Sequence, residues 1–207
     1  MVIRELKPSE KVQGRWLAVL EDGSILRVSE NEVINFGLYT GKELGEEETE
    51  QMLASLRRSQ LKEKTIALLA RKPMSHRELE RKLEEWDADE EETAGICARM
   101  EELGFLNDRE YAARVVRHYS AKGYGARKLR DELYHRGVPR ELWDEALDQA
   151  ADSADTMDAL IEKKLAGREP DRKELKKISD MLARRGYSWS DINDGLRRFG
   201  ARLEDET

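Results

Sequence analysis

Cations interleaved with tyrosines, between residues 109 and 136, are the side chains in this sequence best suited to binding chemistry. The basic residues of the stretch are Arg109, Arg114, Arg117, Lys122, Arg127, Lys128, Arg130 and Arg136. The tyrosines among them are Tyr119, Tyr124 and Tyr134. Such a surface suits an acidic protein face or a phosphate backbone. A solvated helical surface would produce the same pattern, so both interpretations stay open at this point.

Acidic residues one helical turn away are expected to neutralise some of these cations. The i,i+4 spacing predicts three ion pairs, which are Glu110–Arg114, Arg127–Asp131 and Lys128–Glu132. Arg117, Lys122 and Arg130 have no acidic residue at that spacing. A second basic group lies nearer the C-terminus and consists of Arg184, Arg185, Arg197, Arg198 and Arg202. The pattern thus leaves two groups of cations available to a partner.

Catalytic chemistry needs converging acids, bases, nucleophiles or metal ligands, and the sequence gives no such signal. His76, His118 and His135 lack the spacing of a metal or catalytic motif. The run from Gly123 to Gly125 begins like a phosphate-binding glycine loop, but a predicted helix precedes it, whereas such loops follow a strand. The single cysteine, Cys97, lies in a helical pattern and is expected to be buried and inert. We expect no enzyme activity, cofactor or metal.

Composition favours a helical protein with a thin core. Of the 207 residues, 39% are charged and 39% hydrophobic, and only 4 are proline. The formal net charge of -7 argues against indiscriminate binding of nucleic acid by the whole surface, although it allows a local basic stripe. No stretch approaches the roughly 18 apolar residues of a membrane span, and the N-terminus has no signal-peptide pattern. We expect a soluble, cytoplasmic monomer that has no contact with membranes.

The N-terminal region differs from the rest of the chain. Two apolar runs, 16–20 and 25–28, flank Asp22-Gly23, which is a strong signal for a β-hairpin. Residues 2–6 are a candidate third strand. Ser29, with Glu32 three positions later, predicts the start of a short helix. We therefore expect residues 1–58 to form a small hairpin with short helices.

From about residue 59 the pattern becomes helix, turn, helix, turn, helix, and it repeats. Leucine or isoleucine pairs recur at intervals of about 50 residues, as in stacked helical units. The equivalent pairs are Leu79/Leu83, Leu129/Leu133 and Ile178/Leu182. Ser75, Asn107 and Ser188 are predicted N-caps. The expected fold is mainly α: three three-helix modules, at 59–106, 107–152 and 153–207, in a curved, elongated array behind the hairpin.

Two runs in the middle module carry the signature of a known family. Residues 103–112 read LGFLNDREYA and resemble the Leu-Gly-Phe-Leu-Asp/Asn-Asp-x-x-Tyr-Ala run of the RecX family of bacterial regulators. Residues 122–138 resemble its following Lys-Gly-x-x-x-Ile/Leu-x-x-Glu-Leu-x-x-x-Gly-Ile/Val run, with one extra residue between Gly123 and Leu129. Asn107 replaces the more usual Asp and can still cap a helix. The third module matches only weakly.

The resemblance implies a regulator of the RecA recombinase that binds its filament on single-stranded DNA. It implies inhibition of RecA's ATPase and strand-exchange activities, and so modulation of homologous recombination, DNA repair and the SOS response. A series of modules could meet several RecA subunits at once, so weak contacts would add. We expect the signature residues to be mostly structural, Tyr111 among them. The predicted contacts are Arg114, Arg117, Lys122, Arg127 and Arg130, with Arg197 and Arg198 as a second patch.

A helix-turn-helix module that acts directly on DNA is the alternative from another class. Residues 126–136 would then be the recognition helix. The negative net charge, the partly paired cations and the continuation of the repeat on both sides argue against it. Direct contact with DNA is therefore expected to be weak.

Overall fold

The computed structural model describes residues 1–150, 153–165 and 171–199. The chain forms two compact units, Met1–Leu68 and Leu69–Thr207. Within the described ranges, no helix is both long enough and apolar enough to cross a membrane. The structure is mainly helical, with a small antiparallel sheet at the start of the chain, and this confirms the predicted fold class.

The N-terminal unit begins with a three-stranded antiparallel sheet of strands β1 (Ile3–Pro8), β2 (Arg15–Leu20) and β3 (Ile25–Ser29), in that order. The predicted hairpin and the additional strand are both confirmed. Gly23 has φ 84°, a conformation that glycine adopts without steric cost in the turn after Asp22. Helix α1 (Glu30–Asn35) follows and is capped by Ser29 and Glu32 as predicted. A shared apolar core joins the sheet to the next helix, α2 (Glu46–Arg71), through Met52 and Leu56.

Eight further α-helices lie in the described part of the chain after α2. They are α3 (His76–Glu84), α4 (Glu90–Glu102), α5 (Asp108–Ser120), α6 (Ala126–His135), α7 (Trp143–Leu147), α8 (Ser153–Leu165), α9 (Arg172–Arg184) and α10 (Trp189–Arg198). A short 3₁₀ turn, Arg140–Leu142, leads into α7. By the predicted bounds, the part of α2 after residue 58 falls in module 1 with α3 and α4, α5 to α7 fall in module 2, and α8 to α10 fall in module 3. The predicted boundary between residues 58 and 59 falls inside helix α2, which is continuous there. The predicted end of module 2, at residue 152, lies outside the described residues.

Capping residues set where these helices begin. The side chains of Ser75, Asn107 and Ser188 accept hydrogen bonds from backbone N–H groups of the first turns of α3, α5 and α10, which otherwise lack partners. All three predicted caps are therefore confirmed.

Each module buries the apolar face predicted from its periodicity. The three equivalent pairs, Leu79/Leu83, Leu129/Leu133 and Ile178/Leu182, are at most 4% exposed. Tyr111, Val115 and Val116 of α5 pack with the α6 pair, and Ala146 of α7 completes that core. Burial of each large aliphatic side chain contributes roughly 1.5–3 kcal/mol, so several small cores together hold the helices in place.

Modules 2 and 3 are joined backbone to backbone. The N–H groups of Gly125 and Arg127 donate to the carbonyl oxygens of Arg185 and Gly186, at 2.9 and 3.1 Å. A Cβ at Gly125 would lie 2.6 Å from the Gly186 backbone, and Gly186 itself has φ 90°. The glycine run that resembles a phosphate loop is therefore a junction where two backbones touch.

Candidate partner-binding surface

The outer face of α6 carries two cations and an aromatic ring. Since Leu129 and Leu133 turn inward, the helical period places Arg127, Arg130 and Tyr134 on the opposite, exposed side. Tyr134 is 63% exposed. Neither arginine side chain forms an ion pair with any residue that the structure describes. This α6 face is thus free to meet an acidic partner.

A groove between α5 and α7 holds a second set of cations, from Arg109, Arg114 and Arg117. Its volume is about 340 Å³. Arg117 donates from Nη1 to Oε1 of Gln149 at 2.7 Å, and Nη1 of Arg109 lies 3.4 Å from Oε1 of Glu145. Arg114 is exposed and has no ion pair within the described ranges. The structure therefore brings two predicted contact residues, Arg114 and Arg117, to one groove.

The remaining predicted residue of module 2, Lys122, lies in the turn after α5 and does not line that groove. Its ammonium lies 5.5 Å from the centroid of the Tyr119 ring, a cation–π distance. Its backbone carbonyl accepts from Nη1 of Arg185 at 2.8 Å, which places it beside the junction with module 3. Lys122 is exposed but already has an aromatic neighbour.

The two predicted contact residues of module 3 are both paired. Arg198 forms a bidentate ion pair with Asp158 of α8, with Nε–Oδ2 at 2.8 Å and Nη2–Oδ1 at 2.6 Å. Nη1 of Arg197 lies 3.5 Å from Oδ1 of Asp194 on the same helix. Arg198 therefore joins α10 to α8, and a partner would have to compete with a carboxylate of this chain for either arginine.

Two of the three predicted helical ion pairs are wrong within the described residues. Lys128 and Glu132 do approach, with Nζ–Oε1 at 3.5 Å. The pairs Glu110–Arg114 and Arg127–Asp131 do not form. An exposed i,i+4 pair contributes only about 0.3–0.5 kcal/mol, which the loss of side-chain freedom readily offsets. Arg127 on the α6 face is consequently unpaired among the described residues, although the spacing predicts a partner for it.

Sequence reasoning missed the cations of α9. Four exposed basic residues lie within its first two turns: Arg172, Lys173, Lys176 and Lys177. A count of charges helix by helix would have found them, because Glu174 is the only acidic residue in those turns. Its carboxylate accepts a hydrogen bond from the backbone N–H of Asp171, the N-cap of α9. Module 3 therefore presents a basic surface on α9 in addition to the paired arginines of α10.

The described residues include no cluster of three or more His, Cys, Asp or Glu side chains that could hold a metal ion. Cys97 is buried, as predicted, and burial raises the pKa of its thiol to about 11. At neutral pH the thiol stays protonated and is a poor nucleophile. The described residues instead present exposed cations on α5, α6 and α9, which form surfaces suited to binding a partner.

Fold and surface together define a helical repeat protein whose small modules carry exposed cations. The family model described as the second three-helix domain of RecX matches residues 107–147, and that for the third three-helix domain matches residues 151–196. A "Regulatory protein RecX" of Ectopseudomonas mendocina (strain ymp) is 36% identical over 132 residues, which cover 63% of this chain and 88% of the relative. The chain belongs to the RecX family of regulatory proteins.

A further relative and a solved structure are similar to this chain over most of its length. The "Regulatory protein RecX" of Shigella boydii serotype 4 (strain Sb227) is 32% identical over 157 residues, covering 68% of this chain and 92% of the relative. A solved structure titled "Crystal structure of regulatory protein RecX" superposes with a TM-score of 0.72 at 23% identity. It covers 96% of this chain and 100% of that chain. That likeness extends the shared fold to the N-terminal unit.

Proposed function

We propose that this protein is a cytoplasmic monomer that binds the RecA recombinase filament on single-stranded DNA and inhibits its ATPase and strand-exchange activities. It thereby modulates homologous recombination and DNA repair. Membership of the RecX family of regulatory proteins supports this proposal. The proposed contacts are Arg114, Arg117, Lys122, Arg127 and Arg130, with Arg197 and Arg198 as a weaker patch.

One observation carries the proposal: the α6 face presents Arg127 and Arg130 without an ion pair in the described part of a chain whose net charge is -7. Because these two guanidinium groups do not first have to leave an internal carboxylate, they can meet carboxylates of a partner directly. Further cations on other modules add weak contacts to the same filament, and the total affinity rises through multivalency.

RecA's DNA-dependent ATPase on single-stranded DNA, with this protein titrated in, tests the proposal. We expect inhibition at protein concentrations well below that of RecA, together with weak binding to labelled DNA when RecA is absent. An unchanged ATPase rate at equimolar protein would overturn the proposal.

Charge reversal locates the surface. The variant R117E/K122E/R130E should weaken inhibition by about tenfold, equivalent to about 1.4 kcal/mol of binding free energy, with unchanged helicity. R58E/K62E/R71E on α2 is the matched control, since it reverses three exposed cations and changes net charge equally. Equal loss in both variants would show that net charge alone matters.

Direct action on DNA is the second candidate, and the same free cations favour it. Helix α6 is the second helix of a three-helix module, as in helix-turn-helix proteins, and Arg127 and Arg130 are exposed on it. This reading predicts tight, salt-dependent binding to duplex DNA without RecA, which the control arm measures. Tight duplex binding with no effect on RecA would replace the first proposal by this one.

A further inference from the structure

Arg136, at the C-cap of α6, is the centre of a polar network inside module 2. Its Nη1 donates to the hydroxyl of Tyr111 at 2.8 Å, and its Nη2 donates to the hydroxyl of Tyr119 at 3.1 Å. Nη2 also lies 3.5 Å from Oε2 of Glu132. Burial acts to lower the pKa of Arg136, but its hydrogen bonds and charge interactions with the two tyrosines outweigh burial and raise it. The guanidinium thus stays charged.

The network continues into module 1 through Glu78. The Tyr111 hydroxyl donates to Oε2 of Glu78 at 2.6 Å, and Nη1 of Arg136 lies 3.8 Å from Oε1 of the same carboxylate. Burial, and next the bond to Glu78, raise the pKa of Tyr111 to about 12, so its hydroxyl remains a donor at neutral pH. Glu78 also accepts from the N–H of Ser75, the cap of α3. The start of α3 is therefore tied to α5 and α6 by side chains.

Two more polar contacts lie at the same junction. The Ser75 hydroxyl donates to the carbonyl oxygen of Arg136, and the N–H of His76 donates to Oδ1 of Asp108 at 2.7 Å. A Cβ at Gly137 would lie 2.5 Å from Cβ of Arg77, so the two modules are in close contact. Each of these hydrogen bonds therefore involves a side chain. At the equivalent positions, modules 2 and 3 are joined by bonds between backbone groups.

We propose that Arg136 is a positioning residue which, through Tyr111 and Glu78, sets the orientation of module 1 on module 2. The inference rests on the proposed function in one respect: binding to several sites of a filament requires modules held at a fixed relative geometry. Loss of the guanidinium leaves the Glu78 carboxylate, with a side chain only 16% exposed, without its cation. The junction then opens while each module keeps its own apolar core.

Distances between spin labels test the positioning role directly. E91C/D144C places labels on α4 and α7 across the first junction, and D144C/D180C places them on α7 and α9 across the second. All three sites are exposed, whereas the native Cys97 is buried and should take no label. R136M should broaden the first distance distribution and leave the second unchanged. Y111F, which removes the bridging hydroxyl but keeps the ring, should do the same to a smaller extent.

Inhibition of the RecA ATPase is the second readout, with circular dichroism to verify folding. R136M should weaken inhibition by about tenfold through loss of multivalent binding, and R136K should recover part of it because it keeps a cation beside Glu78. Unchanged distances in R136M and Y111F would overturn the positioning role. Broadened distances with full inhibition would overturn its link to binding. Absence of inhibition by the unaltered protein would overturn the proposed function alone, since the distance result stands without it.

Discussion

Two pairs of arginines that look alike in sequence differ in whether the fold gives them an ion-pair partner. Arg127 and Arg130 on α6 have no ion pair among the described residues, whereas Arg197 and Arg198 on α10 are held by Asp194 and Asp158. The carboxylate of Asp158 comes from a different helix, α8, 40 residues away in sequence. The same residue type therefore serves internal structure in module 3 and remains available in module 2.

Pairing changes what a cation can contribute to binding. An exposed ion pair contributes only about 0–1 kcal/mol to stability, but a partner must break it before it gains the arginine. An unpaired arginine on a helix already fixed by its core carries no such cost. We infer that the proposed binding energy is concentrated in module 2, and the comparison can be tested by altering one pair at a time.

Reversal of the free pair should give the largest effect. R127E/R130E is expected to weaken RecA inhibition by about tenfold or more, because the two glutamates would be repelled by the acidic partner surface that the proposed contact requires. Its melting temperature should stay within about 1 °C of the original, since substitutions at such exposed sites are usually close to neutral in stability. Titration of the ATPase and thermal melting measure the two quantities; full inhibition by this variant would contradict a contact role for α6.

Reversal of the paired arginines should show the opposite profile. R197E/R198E is expected to reduce inhibition by less than about threefold, while the ion pair with Asp158 is lost and stability falls by about 1 kcal/mol. Urea unfolding followed by circular dichroism measures the free energy of unfolding. If this variant were as weak an inhibitor as R127E/R130E and fully stable, pairing would not distinguish the two patches.

Addition of a cation to the α6 face should strengthen binding modestly. D131K replaces an exposed carboxylate that forms no ion pair in the described part of the chain, and about two- to threefold tighter inhibition is expected. The gain should shrink as salt rises from about 50 to 200 mM, because exposed charges are screened. E50K on α2 is a matched control with the same change in charge at an exposed carboxylate, and an equal gain there would indicate a general charge effect.

The smallest effect is expected at Lys122. K122A removes a cation–π contact with Tyr119 that contributes about 0.5–1 kcal/mol at an exposed site. Stability should fall by no more than that, and inhibition should change by less than about twofold. A large loss of inhibition would mean that Lys122, rather than α6, leads the contact.

Local chemistry in the sequence was enough to predict the modules. Ser75, Asn107 and Ser188 cap helices because their side chains satisfy N–H groups only two or three residues away. The buried pair in each module follows from the helical period, which is also a local rule. Such features depend on neighbours along the chain, so periodicity and spacing suffice to place them.

Contacts between distant residues could not be predicted in the same way. Three examples join residues 40 to 61 positions apart: the ion pair of Arg198 with Asp158, the bond of Ser75 to Arg136 and the bond of Gly125 to Arg185. In the last two the acceptor is a backbone carbonyl, which no sequence pattern marks. Arg136 was predicted only as one more surface cation. Its side chain is 26% exposed, and its position at a junction follows from packing of whole modules.

The junction between modules 2 and 3 also has a consequence for folding on the ribosome. Helix α6 begins with N–H groups of Gly125 and Arg127 whose acceptors are the carbonyl groups of Arg185 and Gly186. These acceptors are synthesised some 60 residues later, several seconds at roughly 5–20 residues per second. Until then the start of α6 lacks its native partners, so the middle module completes its structure only when the last one has folded against it.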